Sequence, residues 1–216
     1  MLYDITRTVS PATAVWPGDS PFSLVPQWEM ARGASVNLTT LQLSPHTGSH
    51  ADAWFHYVPN GAYPAAMPLD AYLGPARVVT VTRRDGPLTA DDFPAGSLAG
   101  VQRLLVHSHV SDLPDDQWPD EFPYVSPVLI AALAAYGCHL IGLDSPSFDP
   151  LDSTELPGHH ALYAHGMVNL ECLRLAGVPD GDYELIALPL KLDGACGSPV
   201  RAVLRTLQLF GTMTSS

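Results

Sequence analysis

The 216-residue chain is short of positive charge, of cysteine and of long apolar runs. Ten Lys and Arg stand against 22 Asp and Glu, a formal net charge of −12, which leaves no electrostatic footprint for a phosphate backbone or an anionic lipid surface. Neither nucleic acid nor membrane is expected as a partner. No window reaches the roughly 18 consecutive apolar residues of a spanning helix, and the N-terminus lacks a basic stretch followed by an apolar run, so a soluble cytoplasmic protein is expected. The three cysteines, Cys138, Cys172 and Cys196, lie far apart with no C-x-x-C pair. That argues against a disulfide framework or a thiolate zinc knuckle and reads them as small buried hydrophobes in a reducing compartment. Charged residues make up only 15% against 46% hydrophobic, which excludes the composition of a disordered chain.

What is abundant is punctuation. Twenty-one prolines and 17 glycines are spread throughout, marking many short elements rather than one linker, so residues 1–216 read as a single domain. Short β-prone runs lie at 2–5, 22–28, 36–43, 77–82, 104–110, 140–143, 183–190 and 200–207. In 36–43 the apolar alternation slips phase at Thr39-Thr40, which predicts a bulge or a strong twist. The best helix is 127–136, with Ser126 as N-cap, Pro127 at the first helical position and Gly137 as C-cap; shorter ones are expected at 69–72, 90–93 and 162–165. The class is α/β, a strand-rich mixed sheet with few helices.

Nine histidines are present, and four chemistry-bearing residues crowd into 46–56: His46, His50, Asp52 and His56. His46 and His50 have the spacing of a helical zinc motif, but Pro45 and Gly48 disfavour a helix and no Glu follows either His. The segment is therefore a loop at a strand end, where Gly48 permits positive φ or close backbone approach, and His50 and Asp52 share a face if the chain is extended. Imidazole and carboxylate suit Zn²⁺ or Mn²⁺, and three protein ligands leave a position open for water, as a catalytic site requires. A second cluster holds His159, His160 and Glu171, the last an acid in an otherwise apolar stretch, costly to bury unless paired or ligating. The alternative for the first cluster is surface or core side chains with ordinary hydrogen bonds, and for Glu171 a strand residue facing solvent. His107 and His109 sit two apart on an expected strand without an accompanying acid, and His139 and His165 read as structural.

Residues 46–56 resemble the signature H-x-G-T-H-x-D-x-P-x-H of the metal-dependent cyclase family, which includes the bacterial kynurenine formamidases (arylformamidases). The resemblance extends over nearly the whole chain, through Val15-Trp16-Pro17-Gly18-Asp19, residues 68–75, 140–147, 183–190 and 198–205, and the N- and C-terminal blocks point to the formamidase branch. It implies a swivelling β/β/α fold, a homodimer, and two zinc ions per subunit, with manganese as the alternative metal. His46, His50 and Asp52 would bind one ion, Asp52 and Glu171 would bridge to a second held by His159 in preference to His160, His56 would carry protons, and Trp16 would contact the substrate. Two positions depart from the signature: Ser49 replaces Thr, and Trp54 replaces Pro beside His56. The implied reaction is hydrolysis of N-formyl-L-kynurenine to L-kynurenine and formate in tryptophan degradation, with Trp16 and Trp54 lining an aromatic pocket. Two rivals are a sister hydrolase opening a cyclic amide such as isatin, and a binding protein that holds metal or an aromatic ligand without turnover.

Overall fold

The computed structural model describes residues 1–207. In chain order the strands are β1 (Leu2–Asp4), β2 (Ser23–Trp28), β3 (Leu38–Gln42), β4 (His50–Asp52), β5 (Leu73–Thr80), β6 (Gly86–Leu88), β7 (Arg103–His107), β8 (Pro123–Val125), β9 (Leu140–Leu143), β10 (Val168–Leu170), β11 (Gly181–Ile186), β12 (Gly197–Pro199) and β13 (Val203–Thr206). The helices are α1 (Pro127–Ala135) and α2 (Pro157–Ala164). A seven-stranded sheet runs in the order β1-β13-β11-β5-β7-β9-β10. From β1 to β5 the pairings are antiparallel, and from β5 to β10 they are parallel. This is the strand-rich mixed sheet with few helices expected from the sequence.

Both faces of the sheet are buried. Along β7, Leu104 and Val106 enter one core while Leu105 enters the other, as the two-residue period of a strand dictates. The first core contains Leu129, Ile130 and Leu133 of α1 and Leu162 of α2; the second gathers Ala51, Tyr72, Leu170 and Leu204. Double burial explains why β7 and β9 read as continuous apolar runs. The α1 N-cap follows the sequence, Ser126 Oγ accepting from Leu129 N at 3.3 Å; the C-cap is Tyr136, and Gly137, with φ +86°, is the left-handed residue just after it.

Several boundaries move. The strand expected at 77–82 starts at Leu73, because β11 pairs back as far as that residue. The strand expected at 104–110 ends at His107, since the buried Asp144 carboxylate accepts from Ser108 N at 2.6 Å and turns the chain into a 3-10 segment, His109–Asp112. His107 and His109 therefore share no strand face. The strand expected at 183–190 shifts to β11, beginning at Gly181 and ending at Ile186, and the one expected at 200–207 shrinks to β13. The register shift falls on β2, between Pro26 and Trp28, opposite the predicted Thr39 region of β3 rather than within it. The helix expected at 162–165 is the end of α2. Strands β4, β6, β8, β10 and β12 are three residues each, too short for a periodicity to announce them. No described helix is long and apolar enough to cross a membrane.

Candidate metal centre

The loop before β4 and β4 itself supply the first group of candidate ligands. Gly48 has φ +66°, and a Cβ there would lie 2.9 Å from Val9 Cγ2, so this turn needs glycine on two counts. His46 Nδ1 lies 2.9 Å, and His50 Nε2 3.4 Å, from Asp52 Oδ1. Strand β12 lies alongside, pairing Gly197 with Asp52; a Cβ on Gly197 would come within 2.9 Å of His46 Cε1.

The second group comes from the carboxyl end of the parallel half, where open sheets of this kind place their ligands. Glu171 follows β10 and exchanges main-chain hydrogen bonds with His50, at 3.2 and 3.0 Å. Helix α2 brings His159 Nε2 to 3.4 Å from both Asp52 Oδ2 and Glu171 Oε1, while Glu171 Oε2 lies 3.4 Å from His50 Nε2. His46, His50 and Asp52 thus offer three ligand atoms within 4.8 Å of one another, as do Asp52, His159 and Glu171, and the two groups share Asp52. His160, the next residue along α2, is exposed and belongs to neither. His56 is exposed on a 3-10 turn, its ring 4.2 Å from that of His46 and 6.3 Å from that of His159.

The donor set fits divalent cations. His50 Nδ1 is 2.9 Å from Gly48 O and His159 Nδ1 is 2.6 Å from Asp149 Oδ2. A carbonyl or carboxylate only accepts, so both Nδ1 atoms carry the proton and both Nε2 atoms turn lone pairs toward Asp52 and Glu171. Lone pairs face lone pairs. His50 Nε2 and Asp52 Oδ1 are buried and make no hydrogen bond, an arrangement that a shared cation resolves. Asp52, Asp149 and Glu171 are all buried, and none pairs with Lys or Arg among the described residues. Without ions, protons supply the missing charge. Burial works against the His46 imidazolium, but the Asp52 carboxylate and Cys196 outweigh it and raise His46 to about 9. The same contest lifts His50 and His159 well above the usual histidine range. Burial opposes the Asp52 charge, yet His159, His46 and His50 hold its carboxyl well below the usual carboxylate range.

Four supporting residues escaped the sequence reading. Asp149 caps α2, whose own N-cap position, Leu156, has none to offer: its Oδ1 accepts from Gly158 N at 2.7 Å and its Oδ2 from His159 N at 3.1 Å. Recognising Pro157 as a helix start would have exposed it. Asn169 Nδ2 donates to Asp52 Oδ2 at 2.7 Å and to Glu171 Oε1 at 3.2 Å, holding the two carboxylates apart; its place two residues before Glu171 was a readable signal. Cys196 Sγ lies 3.1 Å from His46 Nε2, and with Cys172 it lines the cavity half-buried, so only Cys138 is the buried thiol expected. Trp118 is the fourth.

A cavity of about 400 Å³ opens over the centre, with His46, His50, His56, His159 and Glu171 along its lining and Trp16 and Trp118 among its other residues. The two indoles meet edge to face at 5.6 Å. Trp54 takes no part in the lining: its Nε1 donates to Met167 O at 3.0 Å and its ring packs against Tyr163. The Trp16 segment is anchored by Asp115, whose Oδ2 accepts from Thr8 N at 3.1 Å and whose main-chain O accepts from Ala14 N at 2.9 Å.

A family model described as "Putative cyclase" matches residues 3–150. The chain is 49% identical over 207 residues to the kynurenine formamidase of Salinibacter ruber (strain DSM 13855 / M31), across 94% of this chain and 97% of that protein. Among solved structures, a "predicted metal-dependent hydrolase" from Bacillus stearothermophilus superposes with a TM-score of 0.78 at 25% identity, covering 94% of this chain and 97% of the other. Isatin hydrolase A from Labrenzia aggregata, bound to benzyl benzoate, shares the fold with a TM-score of 0.78 at 24% identity, covering 96% and 94%.

Proposed function

The chain belongs to the cyclase family, and on that premise we propose that it acts as a kynurenine formamidase, hydrolysing N-formyl-L-kynurenine to L-kynurenine and formate. The observation that carries the reading is the pair of ligand groups joined at Asp52 beneath a cavity with a tryptophan pair in its lining. We assign His46, His50 and Asp52 to one divalent ion and Asp52, His159 and Glu171 to a second. Glu171 reaches both, one oxygen near His50 and the other near His159. The nitrogen and oxygen donors suit zinc, with manganese compatible. Such ions, when bound, polarise a formyl carbonyl and lower the pKa of an attacking water toward about 7.

The chain's own residues do the rest. Gly48 O and Asp149 fix the tautomers of His50 and His159, and Asn169 orients the carboxylates. His56, outside both ligand groups but against His46, carries a proton to the departing aniline nitrogen. Trp16, with Trp118 beside it, offers an aromatic surface to the anilide ring. We read the curled mixed sheet as the swivelling β/β/α arrangement over a single domain, and the molecule as a cytoplasmic homodimer. Leu24, Val25, Trp28, Leu38 and Leu41, exposed on the β2–β3 pair, give a second copy an apolar surface to cover.

The test is to incubate the purified protein with N-formyl-L-kynurenine and, separately, isatin, with chelator and with metal restored, following kynurenine absorbance and formate. Kynurenine formation lost in chelator and regained with zinc is expected. Faster opening of isatin would make it a sister hydrolase, and metal-independent turnover would sink the proposal. Elution as a monomer in light-scattering chromatography would remove the dimer.

A further inference from the structure

Three histidines face the two proposed ions, and each has a second ring nitrogen whose partner decides which nitrogen is left bare. For His50 the partner is a main-chain carbonyl, and for His159 the Asp149 carboxylate. For His46 it is sulfur: Nε2 lies 3.1 Å from Cys196 Sγ. A neutral imidazole has one N–H, and the nitrogen bearing it has no lone pair for a cation. His46 Nδ1 approaches Asp52 Oδ1 to 2.9 Å, yet that buried oxygen has no hydrogen-bond partner. With Nδ1 given to the first ion beside Asp52, as the two-ion reading has it, Nδ1 is the bare nitrogen and Nε2 is left to carry the proton toward the sulfur.

We propose that Cys196 is a positioning residue for the first ion, its sulfur accepting from His46 Nε2 and so holding His46 in the tautomer and ring orientation that present Nδ1 beside Asp52. The inference rests on the two-ion reading given above. The backbone supports it independently. Cys196 O accepts from Ala53 N at 3.0 Å and the next residue, Gly197, pairs with Asp52, so the sulfur is carried by the same two-stranded ladder that carries the ligands. Its position relative to β4 is fixed from the main chain. The missing Gly197 side chain leaves the His46 ring free to settle between the sulfur and Asp52. The rival role is direct ligation, since His46, His56 and Cys196 also offer three ligand atoms within 4.8 Å. That would require Nε2 to be stripped of its proton and would compete with the first ion for His46.

The experiment compares the wild type with Cys196→Ala, Cys196→Ser and His46→Ala, each stripped and retitrated with zinc against a chromophoric chelator, and each loaded with cobalt(II) for absorption spectra. The wild type should bind two ions with no sulfur-to-cobalt charge-transfer band. Cys196→Ala should bind one of them about 10- to 100-fold more weakly, the usual effect of losing the partner of a ligating histidine, with the other unchanged. Cys196→Ser, whose hydroxyl accepts from the same N–H, should recover part of that loss even if the alanine variant folds poorly. His46→Ala should lose the same ion. If both cysteine variants bind both ions like the wild type, or if wild-type cobalt protein shows a thiolate band that Cys196→Ser removes, the positioning role is overturned while the two-ion reading stands. If the wild type binds fewer than two ions, the reading and the inference fall together.

Discussion

Replacing Asp149 by Asn changes one atom of a buried side chain, and the surroundings leave that atom no good place. The carboxylate accepts three hydrogen bonds, from Gly158 N at 2.7 Å, His159 N at 3.1 Å and His159 Nδ1 at 2.6 Å. An amide has one acceptor oxygen. If its nitrogen faces Gly158 N, two donors confront each other at the start of α2 and a buried N–H is left unsatisfied, costing about 1–3 kcal/mol. If it faces the imidazole, His159 can satisfy it only by moving its own proton to Nε2, the atom that lies 3.4 Å from Asp52 and Glu171. Either outcome weakens the second ion, by about 10- to 100-fold, or roughly 1.4–2.8 kcal/mol. The assay is zinc titration of the stripped variant together with urea unfolding of its metal-free form. An Asn variant that binds both ions as tightly as wild type, and is equally stable, would refute the argument that this carboxylate sets the tautomer and the cap at once.

His56→Ala should lower kcat on N-formyl-L-kynurenine by about 10² to 10⁴ while keeping its ion content; loss of an ion would make His56 a ligand. Gly158→Ala puts a Cβ 2.3 Å from Phe148 O, and Gly197→Ala puts one 2.9 Å from His46 Cε1, so the first should weaken the His159 ion and the second the His46 ion, each measured by metal titration. With His46 raised to about 9 in the metal-free fold, stability from its proton is complete below the unfolded value of about 6.5 and is lost as pH climbs toward 9. The urea midpoint of stripped protein should therefore fall across that window. Zinc-loaded protein, whose imidazoles bind metal better once deprotonated, should not follow it, and a stripped protein that gains stability toward alkaline pH would contradict the sign.

The sequence made the proposed ligands legible because they are chemically conspicuous. His46, His50 and Asp52 sit in one short segment, and β4 puts His50 and Asp52 on one side as an extended backbone must. The choice between His159 and His160 was a different problem. It depends on where α2 begins, and that start is set by Pro157 and by the remote carboxylate of Asp149, which no local pattern joins to the helix. Trp54 shows the opposite failure: its neighbours in sequence suggested a pocket wall, but the Met167 carbonyl, on the loop leading into β10, claims the indole. The longer strands were readable from apolar runs. Of those with three residues, β1 was read, but β4, β6, β8, β10 and β12 owe their existence to partners across the chain and were not.

The main-chain exchange between His50 and Glu171 carries a consequence beyond chemistry. Those hydrogen bonds fasten the N-terminal half of the chain to the end of β10, and the side chains of the same two residues belong to the proposed ligand groups. Metal bound there would act as a clasp across the molecule. A cation held by the folded form alone stabilises it by about 2.7 kcal/mol at a free concentration one hundred times Kd, so the melting temperature becomes a gauge of metal supply. Under metal starvation the population open to proteases would grow as activity declined, and the abundance of the protein would register the shortage together with its catalytic output.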